Sequence, residues 1–257
     1  MKKIIYNILL IFIVSIALSD DIIENNVYFL EPGPNLISFN VLPENTSIDD
    51  IFSPVQNNIV SVISEGQISY NNNGQWVGSL TNLNHSNGYW VIADDYSLID
   101  IEGNKNHNMT YYLENGANLI SYPYSNAQSI NEALPFYAFY NVIAILGQNQ
   151  AALISNNQIF GSLTHFEPNK GYWFLVNDPI LFEYNNSINS ANIFTENPAT
   201  NDTNINFQFN QSTSQSVFFI NEAYYSNNPL SESDELIIEC NNTLVGSTQW
   251  KGQFTDL

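Results

Sequence analysis

Short blocks of β-branched and aromatic residues recur along the chain, each closed by Asn, Gly or Ser. Ile59-Val60-Ser61-Val62-Ile63, Gln75-Trp76-Val77-Gly78-Ser79-Leu80 and Tyr89-Trp90-Val91-Ile92-Ala93 are of this kind, and apolar runs this short between turn formers predict strands. Asn72-Asn73-Gly74 predicts a hairpin turn, and Ser155-Asn156-Asn157, its counterpart without the glycine, predicts another, because Asn is the non-glycine residue that best tolerates a left-handed backbone. Two stretches follow a helical period instead. Ile48, Ile51, Phe52 and Val55, and again Ile130, Ala133, Leu134 and Tyr137, fall at i, i+3, i+4, i+7 and predict one apolar face of a short helix. Ser47 with Asp50, and Ser129 with Glu132, form capping-box patterns at the two helix starts.

These elements occur twice. Leu30-Glu31-Pro32-Gly33-Pro34-Asn35-Leu36-Ile37-Ser38-Phe39 matches Leu113-Glu114-Asn115-Gly116-Ala117-Asn118-Leu119-Ile120-Ser121-Tyr122 at an offset of 83 residues. The same offset relates Gly78-Ser79-Leu80-Thr81 to Gly161-Ser162-Leu163-Thr164 and Gly88-Tyr89-Trp90 to Gly171-Tyr172-Trp173, with a one-residue slip between the anchors. Self-similarity on this scale predicts two copies of one folding unit. Gly88 and Gly171, at the start of the Tyr-Trp strands, predict either a positive φ or a close backbone approach.

After Tyr184 the chain becomes rich in Asn and Ser, a polar linker. Beyond it Ile205, Phe207 and Phe209 alternate with polar residues, Val217-Phe218-Phe219-Ile220 reads as a strand, and Leu236-Ile237-Ile238-Glu239-Cys240 turns at Asn241-Asn242 into Thr243-Leu244-Val245-Gly246. The expected organisation is a leader at 1–19, repeat units at 20–103 and 104–186, a linker at 187–203 and an incomplete β-sandwich-like module at 204–257. The fold class expected is mainly β with short helices (α+β): two tandem duplicated units plus that module. Its few strands are fewer than a stable sandwich needs, so a truncated gene product or fragment is expected.

Charge and the amino terminus narrow the partners. Met1-Lys2-Lys3, an apolar run to Val14, and the small-x-small end Ala17-Leu18-Ser19 form a secretory signal pattern, too short for a spanning helix. Cleavage after Ser19 would remove two lysines and no acid, taking the formal charge from −20 to −22. The expected location is therefore secreted or cell-surface, with no membrane attachment after cleavage. The chain has 25 acidic residues against 5 basic ones, all Lys. Such a surface cannot neutralise a row of phosphates, which excludes nucleic acids and anionic membranes as partners. Cys240 is the only cysteine, so an exported chain gains no internal disulfide; its place in an apolar run predicts a small buried strand residue.

Candidate chemistry is sparse. His85, His107 and His165 have no metal-ligand spacing, and Ser79 and Ser162 lie in Gly-Ser-Leu, not in a nucleophile elbow. Asp49-Asp50 are explained by the helix start, and Asp94-Asp95 against Asn177-Asp178 keeps one acid without a second to act with it in glycoside hydrolysis. No catalytic residues and no cofactor are assigned. Calcium is the cation that Asp95, Asp178, Asp234 and Glu235 would suit in acidic extracellular loops, although none forms an Asp-x-Asp-x-Asp-Gly ladder. The pairs Tyr89-Trp90 and Tyr172-Trp173 offer a ligand-binding reading: neighbours on a strand point to opposite faces, so one ring of each pair packs inward and the other could stack on a sugar.

The combination of Gly-x-Asn-Leu-Ile-Ser, Ser-Ile at the helix, Trp-Val-Gly-Ser-Leu and Gly-Tyr-Trp resembles tandem modules of secreted multimodular proteins of Gram-negative bacteria, many of which carry a type IX sorting domain or dockerin-like parts. Residues 211–220, Asp234-Glu235-Leu236 and Leu244-Val245-Gly246-Ser247-Thr248-Gln249-Trp250 are similar to a module found beside them. The second unit departs from the pattern at Ile159-Phe160, where the first has Trp76-Val77. The resemblance implies a non-enzymatic structural or adhesive role, with a polysaccharide or a surface protein as partner. A carbohydrate-binding module protein is the alternative, and the non-catalytic part of a larger secreted enzyme is the third reading.

Overall fold

A computed structural model describes residues 23–106, 109–186, 218–232, 234–252 and 255–256. The leader, His107, the linker and the Ile205-Phe207-Phe209 alternation lie outside the described residues. The fold is mainly β, and among the described residues no helix is long and apolar enough to cross a membrane.

The first unit runs through β1 (Ile23–Leu30), β2 (Gly33–Ser38), β3 (Val41–Leu42), α1 (Ile48–Phe52), a 3-10 turn (Ser53–Asn58), β4 (Ile59–Ser64), β5 (Gln67–Asn72), β6 (Gln75–Gly78), β7 (Gly88–Ala93) and β8 (Ser97–Lys105). The second runs through β9 (Tyr111–Leu113), β10 (Gly116–Ser121), β11 (Gln128–Ser129), α2 (Ile130–Ala133), a 3-10 turn (Phe136–Tyr140), β12 (Val142–Gly147), β13 (Gln150–Ser155), β14 (Gln158–Phe160), β15 (His165–Phe166), β16 (Gly171–Val176) and β17 (Ile180–Phe182). Each has a five-stranded antiparallel sheet, ordered β2-β7-β4-β5-β6 in the first and β10-β16-β12-β13-β14 in the second. Their registers correspond at the sequence offset. Gly33 faces Ala93 as Gly116 faces Val176, Tyr70 faces Val77 as Leu153 faces Phe160, and both β4 and β12 slip by one residue at their entry against the Tyr-Trp strand.

The hairpin turns follow from their residues. Asn73 and Gly74 have φ of 52° and 86°, and Asn156 and Asn157 have 51° and 60°, the left-handed pair that a two-residue hairpin matching the strand twist requires. Both helices start at their serines, whose hydroxyls accept from Asp50 N at 3.2 Å and Glu132 N at 3.3 Å. The second helix is shorter than its apolar period suggests. Pro135 excludes helical backbone at Leu134, which is extended with ψ 135°, so Tyr137 leaves the apolar face and stands 51% exposed.

Each unit buries its own core. Phe39, Phe52, Tyr89 and Val91 centre the first. The second is dense in rings: Phe166 stacks between Tyr122 and Phe174 with centroids 5.5 and 5.9 Å away, and Tyr184 meets all three edge-on.

A third apolar cluster, Leu36, Trp90 and Leu119 with Trp173 packed against it, lies between the units. The polar contacts around it come in pairs at the same 83-residue offset. Leu36 N donates to Gln148 Oε1 and Leu119 N to Glu65 Oε2, both at 2.9 Å; Ser38 N donates to Asn169 O at 2.9 Å and Ser121 N to Ser86 O at 3.0 Å. Corresponding groups thus make reciprocal bonds, the pattern of a two-fold, self-complementary interface. Gly88 and Gly171 sit at its centre. Neither has a positive φ; a Cβ on Gly171 would lie 2.8 Å from Ile37 O and 3.1 Å from Gly88 Cα, so close approach of the two backbones explains both glycines.

The C-terminal residues form β18 (Phe219–Ile220), β19 (Tyr224–Tyr225), β20 (Asn228–Pro229), β21 (Glu235–Cys240), β22 (Thr243–Gln249) and β23 (Thr255–Asp256), paired β18-β23, β19-β20 and β21-β22. Most side chains of β21 and β22 are exposed or half-buried on both faces. Cys240 is exposed, which corrects the expectation of a buried strand residue: it stands beside the Asn241-Asn242 turn of a hairpin that buries neither face.

Candidate functional site

Three of the four rings on the Tyr-Trp strands are buried. Tyr89, Trp90 and Tyr172 are buried, and Trp173 is half-buried against the cluster between the units. Alternation does send Tyr and Trp to opposite faces, but both faces are covered. The tyrosines enter their own units, where their hydroxyls accept from Asn84 N at 2.6 Å and Glu167 N at 2.8 Å, and Trp90 enters the seam. A sugar has no ring face to stack on at Tyr89, Trp90 or Tyr172. The expectation of one exposed ring per pair counted only one packed face per sheet.

The acids singled out from the sequence remain apart. Asp95 and Asp178 are exposed in loops, and Asp95 Oδ1 accepts from Tyr96 N at 2.8 Å. Asp234 closes a local turn, accepting from Ser231 N at 2.7 Å, beside exposed Glu235. Among the described residues no three His, Cys, Asp or Glu side chains gather into a potential metal centre. His85 Nδ1 lies 3.2 Å from Phe39 O, and burial pushes its pKa down.

A groove of about 470 Å³ opens in the second unit between the β9-β17 ladder and the segment that Pro135 turns out of the helix. Its apolar lining is Met109, Tyr124, Pro135, Tyr137, Leu181, Phe182 and Tyr184, and its polar groups are Thr110, Glu183, Asn185 and Asn186. Glu183 and Thr110 are joined, Oγ1 donating to Oε1 at 2.6 Å. Asn185 is fixed by its side-chain amide, which donates to Glu132 O at 3.0 Å and Leu134 O at 3.1 Å and so satisfies carbonyls at the end of α2. Tyr124 is held by its hydroxyl, which donates to Tyr184 O at 2.8 Å; its phenol is pushed up by burial and then by the nearby Glu183 charge. The arrangement is a few fixed polar groups in an apolar concavity, which suits binding. Outside the groove Phe136 and Tyr140 stack edge-on at 5.4 Å and are exposed with Tyr112.

The groove residues were not singled out from the sequence. The helical period alone puts Tyr137 on an apolar face; the Leu134-Pro135 step is the sequence signal against it, since it ends a helix before the aromatic run that follows.

No family model, curated protein or solved structure matches the chain.

Proposed function

We propose that the chain is an exported, non-enzymatic bacterial scaffold with a structural or adhesive role: two tandem duplicated units, then a β-sandwich-like module. The matched registers and reciprocal contacts of the two sheets support the duplication, and the leader pattern and acidic, arginine-free composition support export. The observation that carries the adhesive reading is the exposed aromatic cluster of Phe136, Tyr137 and Tyr140 beside a concave apolar groove. A soluble protein leaves such rings in water at a cost unless a partner covers them.

A second reading, carbohydrate binding, is favoured by Tyr137 in particular: a half-exposed ring lining a groove that also carries Asn and Glu side chains is what a sugar face and its hydroxyls require.

Retention of the mature chain on insoluble polysaccharides, with and without calcium, tests both. Retention that Tyr137→Ala weakens about tenfold or more, without release of soluble sugar, supports binding through the groove. Retention unchanged in Tyr137→Ala, or release of product, contradicts it. Binding to cell surfaces but to no polysaccharide would keep the adhesive reading and remove the sugar.

A further inference from the structure

The Gly-Ser-Leu corners of the two units are alike in sequence and in backbone, yet among the described residues a carboxylate sits only at the second. In the second unit the corner after β14 holds the carboxylate of Asp256. Ala151 N donates to Asp256 Oδ2 at 3.0 Å, Ser162 N to Oδ1 at 2.9 Å and Ser162 Oγ to Oδ2 at 2.5 Å. Asp256 and Thr255 are buried there on β23, which lies against β13.

The first unit has the same donors at the same offset: Ile68 N, Ser79 N and Ser79 Oγ. The corner is built alike, since Ile68 N donates to Ser79 Oγ at 3.4 Å and Ala151 N to Ser162 Oγ at 3.3 Å. Both corners need glycine before the serine. A Cβ would fall 2.0 Å from Ile68 O at Gly78 and 2.3 Å from Ala151 O at Gly161. Without a carboxylate the first corner closes on itself, with Ser79 N and Leu80 N sharing Ile68 O at 2.9 and 3.2 Å; in the second, Leu163 N alone takes Ala151 O, at 2.9 Å. Ser79 N is therefore the group that would turn to a ligand, while Leu80 N keeps the carbonyl satisfied. The surroundings differ in the same sense. Ala151 is 1% exposed under the docked strand, whereas Ile68 is 48% and Val77 61% exposed.

We infer that the Ile68-Ser79 corner of the first unit is a docking notch for an extended peptide segment of a partner that presents an aspartate, of the kind Thr255–Asp256 presents to the second unit. Two backbone amides and a hydroxyl converging on one carboxylate give charge-assisted bonds and a fixed register, and the exposed Ile68 and Val77 would pack against the segment's neighbours. The chain carries a formal charge of −20, so long-range repulsion opposes an acidic ligand and is screened at about 0.15 M salt.

The test adds a peptide of the sequence Gly252 to Leu257 to the full chain at that ionic strength and follows backbone amide shifts. The expected result is saturable perturbation of Ile68, Ser79 and Leu80, weakened about tenfold or more by Ser79→Ala in the chain and likewise by an Asp-to-Asn change in the peptide. Shifts confined to Ala151 and Ser162 would mean exchange with the resident strand only and overturn the proposal. So would equal binding of the Asp and Asn peptides, which needs no protein variant to read, or no shift at Ile68 and Ser79. None of these outcomes bears on the groove of the second unit, whose ligand is tested separately.

Discussion

Tyr184 shows what the second core gives up for its rings. Its hydroxyl is buried without a hydrogen-bond partner among the described residues, at the centre of Tyr111, Tyr122, Phe166 and Phe182. An unpaired buried hydroxyl costs about 1–3 kcal/mol, so Tyr184→Phe should leave the protein as stable or more stable by about 1 kcal/mol, read from denaturant midpoints. A loss of more than about 1 kcal/mol would show that the hydroxyl has a partner. Glu65 offers the complementary experiment. Its counterpart is Gln148, which makes the same bond to the opposite unit, so Glu65→Gln should be close to neutral while Glu65→Ala costs about 1–3 kcal/mol by leaving Leu119 N unpaired. At this scale the sequence was informative where a residue answers a local demand, as at the Asn turns and the serine caps. The Tyr-Trp pairs were only half legible, because the partner that buries the tryptophan face belongs to the other unit and leaves no trace in the strand's own pattern.

The elements follow their local chemistry closely. Ser47 caps α1, and its hydroxyl also donates to Asp50 Oδ2 at 2.6 Å, so Ser47→Ala should destabilise by about 1 kcal/mol, and Ser47→Thr should recover most of it because its hydroxyl can both accept from the same amide and donate to the same carboxylate. Thermal unfolding of the three proteins reads the order; equal midpoints would mean that the helix is held by packing of Ile48, Ile51 and Phe52 alone. The β4, β6 and β7 strands were legible from β-branched and aromatic runs. The β1-β8-β3 sheet was not, because β3 is two residues long and pairs with the far end of β8, a contact no local window contains. The groove was missed for a related reason: a helical period continued through Pro135 predicts a buried Tyr137, and the proline overrides it. The final hairpin was found as a hairpin, but its open faces, and with them the exposure of Cys240, depend on what lies over it, which periodicity does not report.

For the molecule as a whole, buried phenols set an alkaline limit. Burial pushes Tyr89 up to about 12 and holds Tyr111, Tyr122, Tyr172 and Tyr184 above the usual phenol range as well. A phenol whose folded-state pKa is raised favours the fold fully below its ordinary value near 10, and that contribution is lost as the pH rises from there toward the folded value. Stability should therefore fall above about pH 10, with part of the phenolate absorbance appearing only together with unfolding; a smooth titration of all tyrosines near pH 10 in the folded chain would contradict the buried cores. The 83-residue offset was visible in the sequence, and the registers of the two five-stranded sheets correspond at it. What it did not give is how they meet, since each sheet's second face is an interface only once the other sheet exists.

The two units meet through offset-related bonds, Leu36 N to Gln148 with Leu119 N to Glu65 and Ser38 N to Asn169 with Ser121 N to Ser86, around Leu36, Trp90 and Leu119. Native-state hydrogen exchange tests this most directly, because these four amides point across the seam and not along their own sheets. If the units are joined as described, all four exchange as slowly as the inner amides of β7 and β16, opening only with global unfolding. Rapid exchange at all four, with the inner strands still protected, would mean that the units are independent bodies and would contradict the two-fold seam.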